Sequence, residues 1–155
     1  MAGMVTVGMR PVLSEDKEEF LCMAADHFSE LNPTFVPASD LKERYFPAIL
    51  SNPQYFLRWI VCDEVRAGFI LFGLEDHRFL PRKTGAIYEL YVLPEFRRRG
   101  VGKACAVEAI RELWAHSPSK IQLEVVQGRT AAAALWRSLG FEKVTERFVL
   151  SRKTQ

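Results

Sequence analysis

The segment Gly85 to Leu93, GAIYELYVL, reads as an apolar strand stopped by Pro94, and from about Gly100 to Ala115 an apolar helix takes over. Only Glu95 to Arg99 separate the two elements. A strand that feeds a helix this closely must lay the helix on the face of its own sheet, which commits the chain to a layered α/β architecture. Ala104, Val107, Ile110, Leu113 and Trp114 recur at helical spacing and form the expected buried stripe, with Glu108, Arg111 and Glu112 on the wet face.

The junction itself, Arg97-Arg98-Arg99-Gly100-Val101-Gly102-Lys103, breaks a rule of helix chemistry. The first turn of a helix has free N–H groups and a positive dipole end, and ordinarily recruits acidic or hydroxyl residues. Here it carries basic residues and no capping side chain. Left empty, each exposed charge there costs roughly 0.3–1 kcal/mol, and a bound anion reverses that sign. The same run also suits a solvated basic turn with two flexible glycines. Two phosphate-binding patterns are excluded. A P-loop requires a glycine five positions before its Gly-Lys and a Ser or Thr after it, where this chain has Arg97 and Ala104. A dinucleotide fingerprint requires a third glycine where Cys105 stands.

The rest of the chain supplies the layers. VTVGMRPV alternates as a first strand, and a helix capped by Ser14 runs to about Phe28. LNPTFVPASD is a loop, with Ser39 or Asp40 capping a second helix that ends near Leu50. YFLRWIVCD and RAGFILFGLED are strands joined through Asp63-Glu64-Val65. After the glycine-loop helix come a strand KIQLEVV, a helix RTAAAALWRSLG closed by Gly140, and a last strand KVTERFVLSRK. The expected order, β-α-α-β-β-β-α-β-α-β, is a mixed α+β sheet with helices on its faces, in one domain over residues 1–155.

A formal net charge of +2 is too small for bulk nucleic-acid or membrane binding, so the basic character that matters is local. Cys22, Cys62 and Cys105 are odd in number and widely spaced, which indicates neither disulfides nor a metal site. With no signal peptide and no spanning apolar run, a cytoplasmic setting is expected. His27, His77 and His116 fall at expected helix ends or in a loop and read as surface residues.

The stretch YVLPEFRRRGVGKACAVEAIREL resembles the acetyl-CoA-binding motif of the GNAT superfamily of N-acetyltransferases, Gln/Arg-x-x-Gly-x-Gly/Ala. CDEVRAGFILF resembles that family's central hairpin, and GRTAAAALWRSLGFEKV its later helix. The resemblance implies a GNAT-like acyl-CoA N-acyltransferase fold, with acetyl-CoA as cosubstrate and an amine as acceptor, and with neither metal nor nucleic acid nor membrane as partner. A homodimer is compatible with it.

By the same resemblance, Leu90, Tyr91 and Val92 hydrogen-bond the pantetheine arm through their backbone, a Val92-side N–H serving the oxyanion. Arg98, Arg99, Gly100, Val101, Gly102 and Lys103 hold the pyrophosphate, with Arg97 as the leading residue of the motif. Glu89, among apolar strand neighbours, is the expected general base, and Tyr88 precedes it where relatives often carry an acid. Glu89 facing water or pairing with a basic group is the plainer alternative. The family's Asn and Tyr of the later helix correspond to Arg129 and Trp136. An indole is no practical acid, so the departing thiolate is left to solvent, Tyr88 or Tyr91. Phe28, Phe35 and Tyr45 flank the loop that shapes the acceptor pocket in the family, and Glu30, Glu75 and Asp76 offer carboxylates to a cationic amine. A small-molecule amine is the expected acceptor. The alternatives are a protein N-terminus or lysine, and an acyl-CoA sensor that has lost catalysis, suggested by Trp136.

Overall fold

The computed structural model describes residues 6–34 and 41–152. Phe35, Ser39 and Asp40 lie outside them. Strand β1 (Val7–Pro11) leads through a short 3-10 turn into helix α1 (Lys17–Leu31). A π turn (Leu41–Tyr45) opens into helix α2 (Phe46–Ser51). Strands β2 (Tyr55–Cys62), β3 (Val65–Asp76) and β4 (Lys83–Val92) follow, then helix α3 (Val101–Ala115), strand β5 (Ile121–Leu123) and helix α4 (Thr130–Ser138). The strands lie in the order β1-β2-β3-β4-β5, antiparallel except for the parallel pair β4/β5 that α3 connects.

Strand alternation creates a core on each face of the sheet. Leu57, Trp59, Val61, Phe69 and Leu71 pack with Phe20, Met23 and Ala24 of α1 and Phe46 and Ile49 of α2. Ile60, Ile70, Phe72 and Ile87 pack on the other side against Val101, Cys105, Ala106, Ala109 and Leu113 of α3 and Trp136 of α4. The β2–β3 hairpin turns on Asp63 and Glu64, both at positive φ, as a two-residue turn that follows the sheet's twist requires. Asp63 fastens it to Thr6 through bonds in both directions.

Four sequence expectations change. Ser14 is not a cap; it lies within the 3-10 turn, and Asp16 Oδ2 accepts the Leu13 N–H at 2.8 Å instead. The buried stripe of α3 is Val101, Cys105, Ala106, Ala109 and Leu113, while Val107 and Trp114 face solvent. Small side chains let the helix sit close to the sheet, and a reading weighted by side-chain size rotates the helix away from them. The strand expected over 120–126 keeps only Ile121–Leu123. Lys143 onward forms no strand among the described residues. Among the described residues no helix is long and apolar enough to cross a membrane.

Candidate active site

The site begins with an irregularity in β4. Leu71 pairs with Glu89 and Phe72 with Ile87, so Tyr88 is an extra residue opposite the β3 ladder. Such a bulge sends two consecutive side chains to one face. Tyr88 accordingly packs with the α1/α2-side core and Glu89 reaches α1, whereas Ile87 and Leu90 face α3.

At the same level the sheet parts. β5 pairs with β4 only from Gly85 to Ile87, and beyond Ile87 the far edge of β4 carries no strand among the described residues. The Leu93 N–H bonds to Ala67 O at 2.8 Å, so by antiparallel alternation the backbone of Tyr91 and Glu89 turns toward β3. The N–H groups of Leu90 and Val92 face the open edge. Tyr91, grouped with them by resemblance, offers that edge no backbone donor; its side chain is buried on the α1 side.

The open edge ends at the start of α3. Gly100, at φ +74°, is the N-cap residue and provides no capping side chain. Ala104 N–H is the first to find an intrahelical acceptor, Gly100 O at 3.0 Å, so the first-turn N–H groups of Val101, Gly102 and Lys103 have none within the helix. Gly102 rests on the strand just described; a methyl group there would lie 3.4 Å from Val92 Cγ2. Arg98, Arg99 and Lys103 are exposed around this helix end, and Arg98 itself sits at φ +62°. Arg97 has a different task. Its Nε donates to Val92 O at 2.8 Å and its Nη2 to both oxygens of Glu30 at 2.7 and 3.0 Å, strapping the loop to α1.

On the opposite face Glu89 Oε2 lies 2.5 Å from Nε2 of His27. His27 is only 7% exposed, ringed by Phe28, Phe69 and Tyr91. It is not the surface residue its place in the sequence suggests. The helix continues past Phe28 to Leu31, and Phe20, Met23, Ala24 and His27 form its buried stripe. That i, i+3, i+4, i+7 spacing was the available signal.

Tyr45 closes over the same region, stacked near Phe20 and edge-on to Phe28. Its hydroxyl is buried with no hydrogen-bond partner among the described residues, and burial, then the charge of Glu89, push its pKa up. The Tyr88 hydroxyl donates to Glu75 at 2.7 Å beside the ring of Tyr55, and burial, then that carboxylate, raise its pKa too. Trp136 is buried in the α3-side core with its ring edge-on to Phe141, and Arg129, half-buried, sits at the start of α4. Among the described residues no His, Cys, Asp and Glu group is placed to hold a metal ion.

A backbone edge with free donors, running into an uncapped helix start amid arginines, suits an extended ligand with amides along its length and phosphates at its end. A carboxylate hydrogen-bonded to an imidazole on the far face suits proton removal. Comparison with known proteins gives the same direction. A family model described as acetyltransferase (GNAT) family matches residues 21–141. An acetyltransferase of Photorhabdus laumondii subsp. laumondii is 29% identical over 142 residues, covering 92% of each chain. Two crystal structures share the fold. A transcriptional regulator from Bacillus halodurans C-125 superposes with a TM-score of 0.78 at 20% identity, over 95% of this chain and 100% of that one. The aminoglycoside N-acetyltransferase AAC(6')-Iy in complex with CoA does so with a TM-score of 0.71 at 20% identity, over 99% and 98%.

Proposed function

The chain belongs to the GNAT family of acetyltransferases, and from that premise we propose that it moves the acetyl group of acetyl-CoA directly onto a primary amine of a small molecule. The observation that carries this reading is the parting of β4 from β5 after Ile87, with the uncapped α3 start at one end of the gap and Glu89 on the other face of the same strand. The open-edge amides of Leu90 and Val92 hold the pantetheine arm and offer a donor to the developing oxyanion. The amides of Gly100 to Lys103, with Arg98, Arg99 and Lys103, hold the phosphates. Arg97 keeps that loop in place from behind, Arg129 adds a contact on the phosphate or adenine side, and Trp136 backs the site from the core.

Acetyl-CoA supplies a thioester, whose carbonyl is open to an unprotonated amine. Glu89 takes one proton from the acceptor's ammonium. The amine then attacks, the C–N bond forms, the C–S bond breaks with its electron pair on sulfur, and the thiolate takes the second proton from the attacking nitrogen. A covalent acetyl-enzyme is not required, and neither buried cysteine favours one. Cys105 is buried, with burial and then Glu108 pushing its thiol up to about 12, and burial raises Cys62 as well. Tyr88 stays protonated and, with Glu75, lines the acceptor side. These carboxylates, and an aminoglycoside acetyltransferase among the structural relatives, support a small cationic acceptor. The free cysteines support a reducing, cytoplasmic setting, and an exposed apolar segment taken up below supports a homodimer.

Thiol release from acetyl-CoA, followed against aminoglycosides, polyamines, arylamines and peptides with free N-termini or lysines, tests the proposal. Turnover on small amines with Glu89→Gln slowed at least about tenfold is expected. Turnover on peptides alone would move the acceptor to proteins, and tight CoA binding without thiol release on any amine would leave an acyl-CoA sensor.

A further inference from the structure

We propose that His27 is a positioning residue for the transfer: its imidazole aims the Glu89 carboxylate at the acceptor nitrogen. The inference rests on Glu89 acting as the base. A carboxylate can only accept, so the 2.5 Å contact from His27 Nε2 to Glu89 Oε2 is a charge-assisted bond that occupies one oxygen and leaves Oε1 for the substrate. The side chain of His27 is 9% exposed and that of Glu89 23%, so Glu89 is the more accessible partner of the pair.

The surroundings give this arrangement its consequence. His27 is held edge-on by Phe69 from β3 and flanked by Phe28 of its own helix. The titratable groups that face the pair from the packed elements are Tyr91 on β4 and Tyr45 on the π turn. Burial followed by nearby carboxylates raises Tyr91, and burial followed by Glu89 raises Tyr45, so both are neutral near pH 7. Among the described residues it is the imidazole that is hydrogen-bonded to Glu89. An ordinary core histidine would be content with a backbone carbonyl. Here a strand bulge and a helix face separated by 62 positions bring the two side chains together.

Two variants separate positioning from packing. His27→Phe keeps a ring of similar bulk and removes the donor. It is expected to lower kcat about 10- to 100-fold and to leave the KM for acetyl-CoA within about twofold. His27→Gln places an amide N–H where Nε2 stood, and is expected to restore the rate in large part. Circular dichroism and thermal melting of both variants establish that they fold. A wild-type rate in folded His27→Phe, beside a slow Glu89→Gln, would overturn the pair while leaving the base in place. Failure of folded His27→Gln to recover beyond His27→Phe would also overturn it. An unimpaired Glu89→Gln would instead remove the base on which it rests.

Discussion

Tyr45 holds a hydroxyl that is buried and unbonded among the described residues, close enough to Glu89 for that charge to raise its pKa. Leaving such a group unpaired costs about 1–3 kcal/mol, which a protein tolerates most readily where a ligand completes the bond. Tyr45→Phe is therefore expected to raise the melting temperature, by about 2–4 °C for each kcal/mol recovered, while raising the KM for the amine severalfold and leaving that for acetyl-CoA unchanged. A stabilised variant with unaltered amine KM would assign the hydroxyl no part in acceptor binding. At this scale the sequence was legible for Glu89, a carboxylate in an apolar strand, but not for its partner. His27 shares the spacing of Phe20, Met23 and Ala24, but that it meets Glu89 depends on how α1 lies against β4.

Among the elements, the loop between β4 and α3 is the most informative, and it is strained. Arg98 adopts φ +62°, a conformation that side chains with a Cβ enter at a cost of about 1–2 kcal/mol. It does so beside a helix start that already disfavours positive charge. Arg98→Gly relieves both and is expected to melt about 2–4 °C higher, yet to raise the KM for acetyl-CoA about tenfold through loss of a charge-assisted phosphate contact. Equal effects on acetyl-CoA and amine KM would count against a phosphate role. The vacant cap, the glycines and the basic cluster were all readable in order along the chain, because capping chemistry is local. Arg97 was not, since its bond to Glu30 joins the loop to a helix far away in sequence. The face of α3 depends on a related effect: only the sheet beneath reveals that Cys105, Ala106 and Ala109 are the contact residues.

For the molecule as a whole, the segment after α4 raises a question of association. Val144, Phe148, Val149 and Leu150 are 74–100% exposed, a density of bare apolar side chains that a monomer seldom leaves in water. Sedimentation is expected to report a concentration-dependent dimer, weakened by Phe148→Glu together with Leu150→Lys; a monomer up to ~100 µM would remove the homodimer from the proposal. The order of elements from β1 to α4, the two-sided sheet and the strand–loop–helix unit that suits CoA phosphates were determined by the sequence alone, because periodicity, glycine placement and capping act over a few residues. Tertiary structure alone decided the bulge that turns Tyr88 and Glu89 to one face, the parting of β4 from β5 after Ile87, and the meeting of Glu89 with His27. Each depends on which backbone lies alongside another and in what register, and register is set by packing across the whole sheet rather than by the strand's own residues.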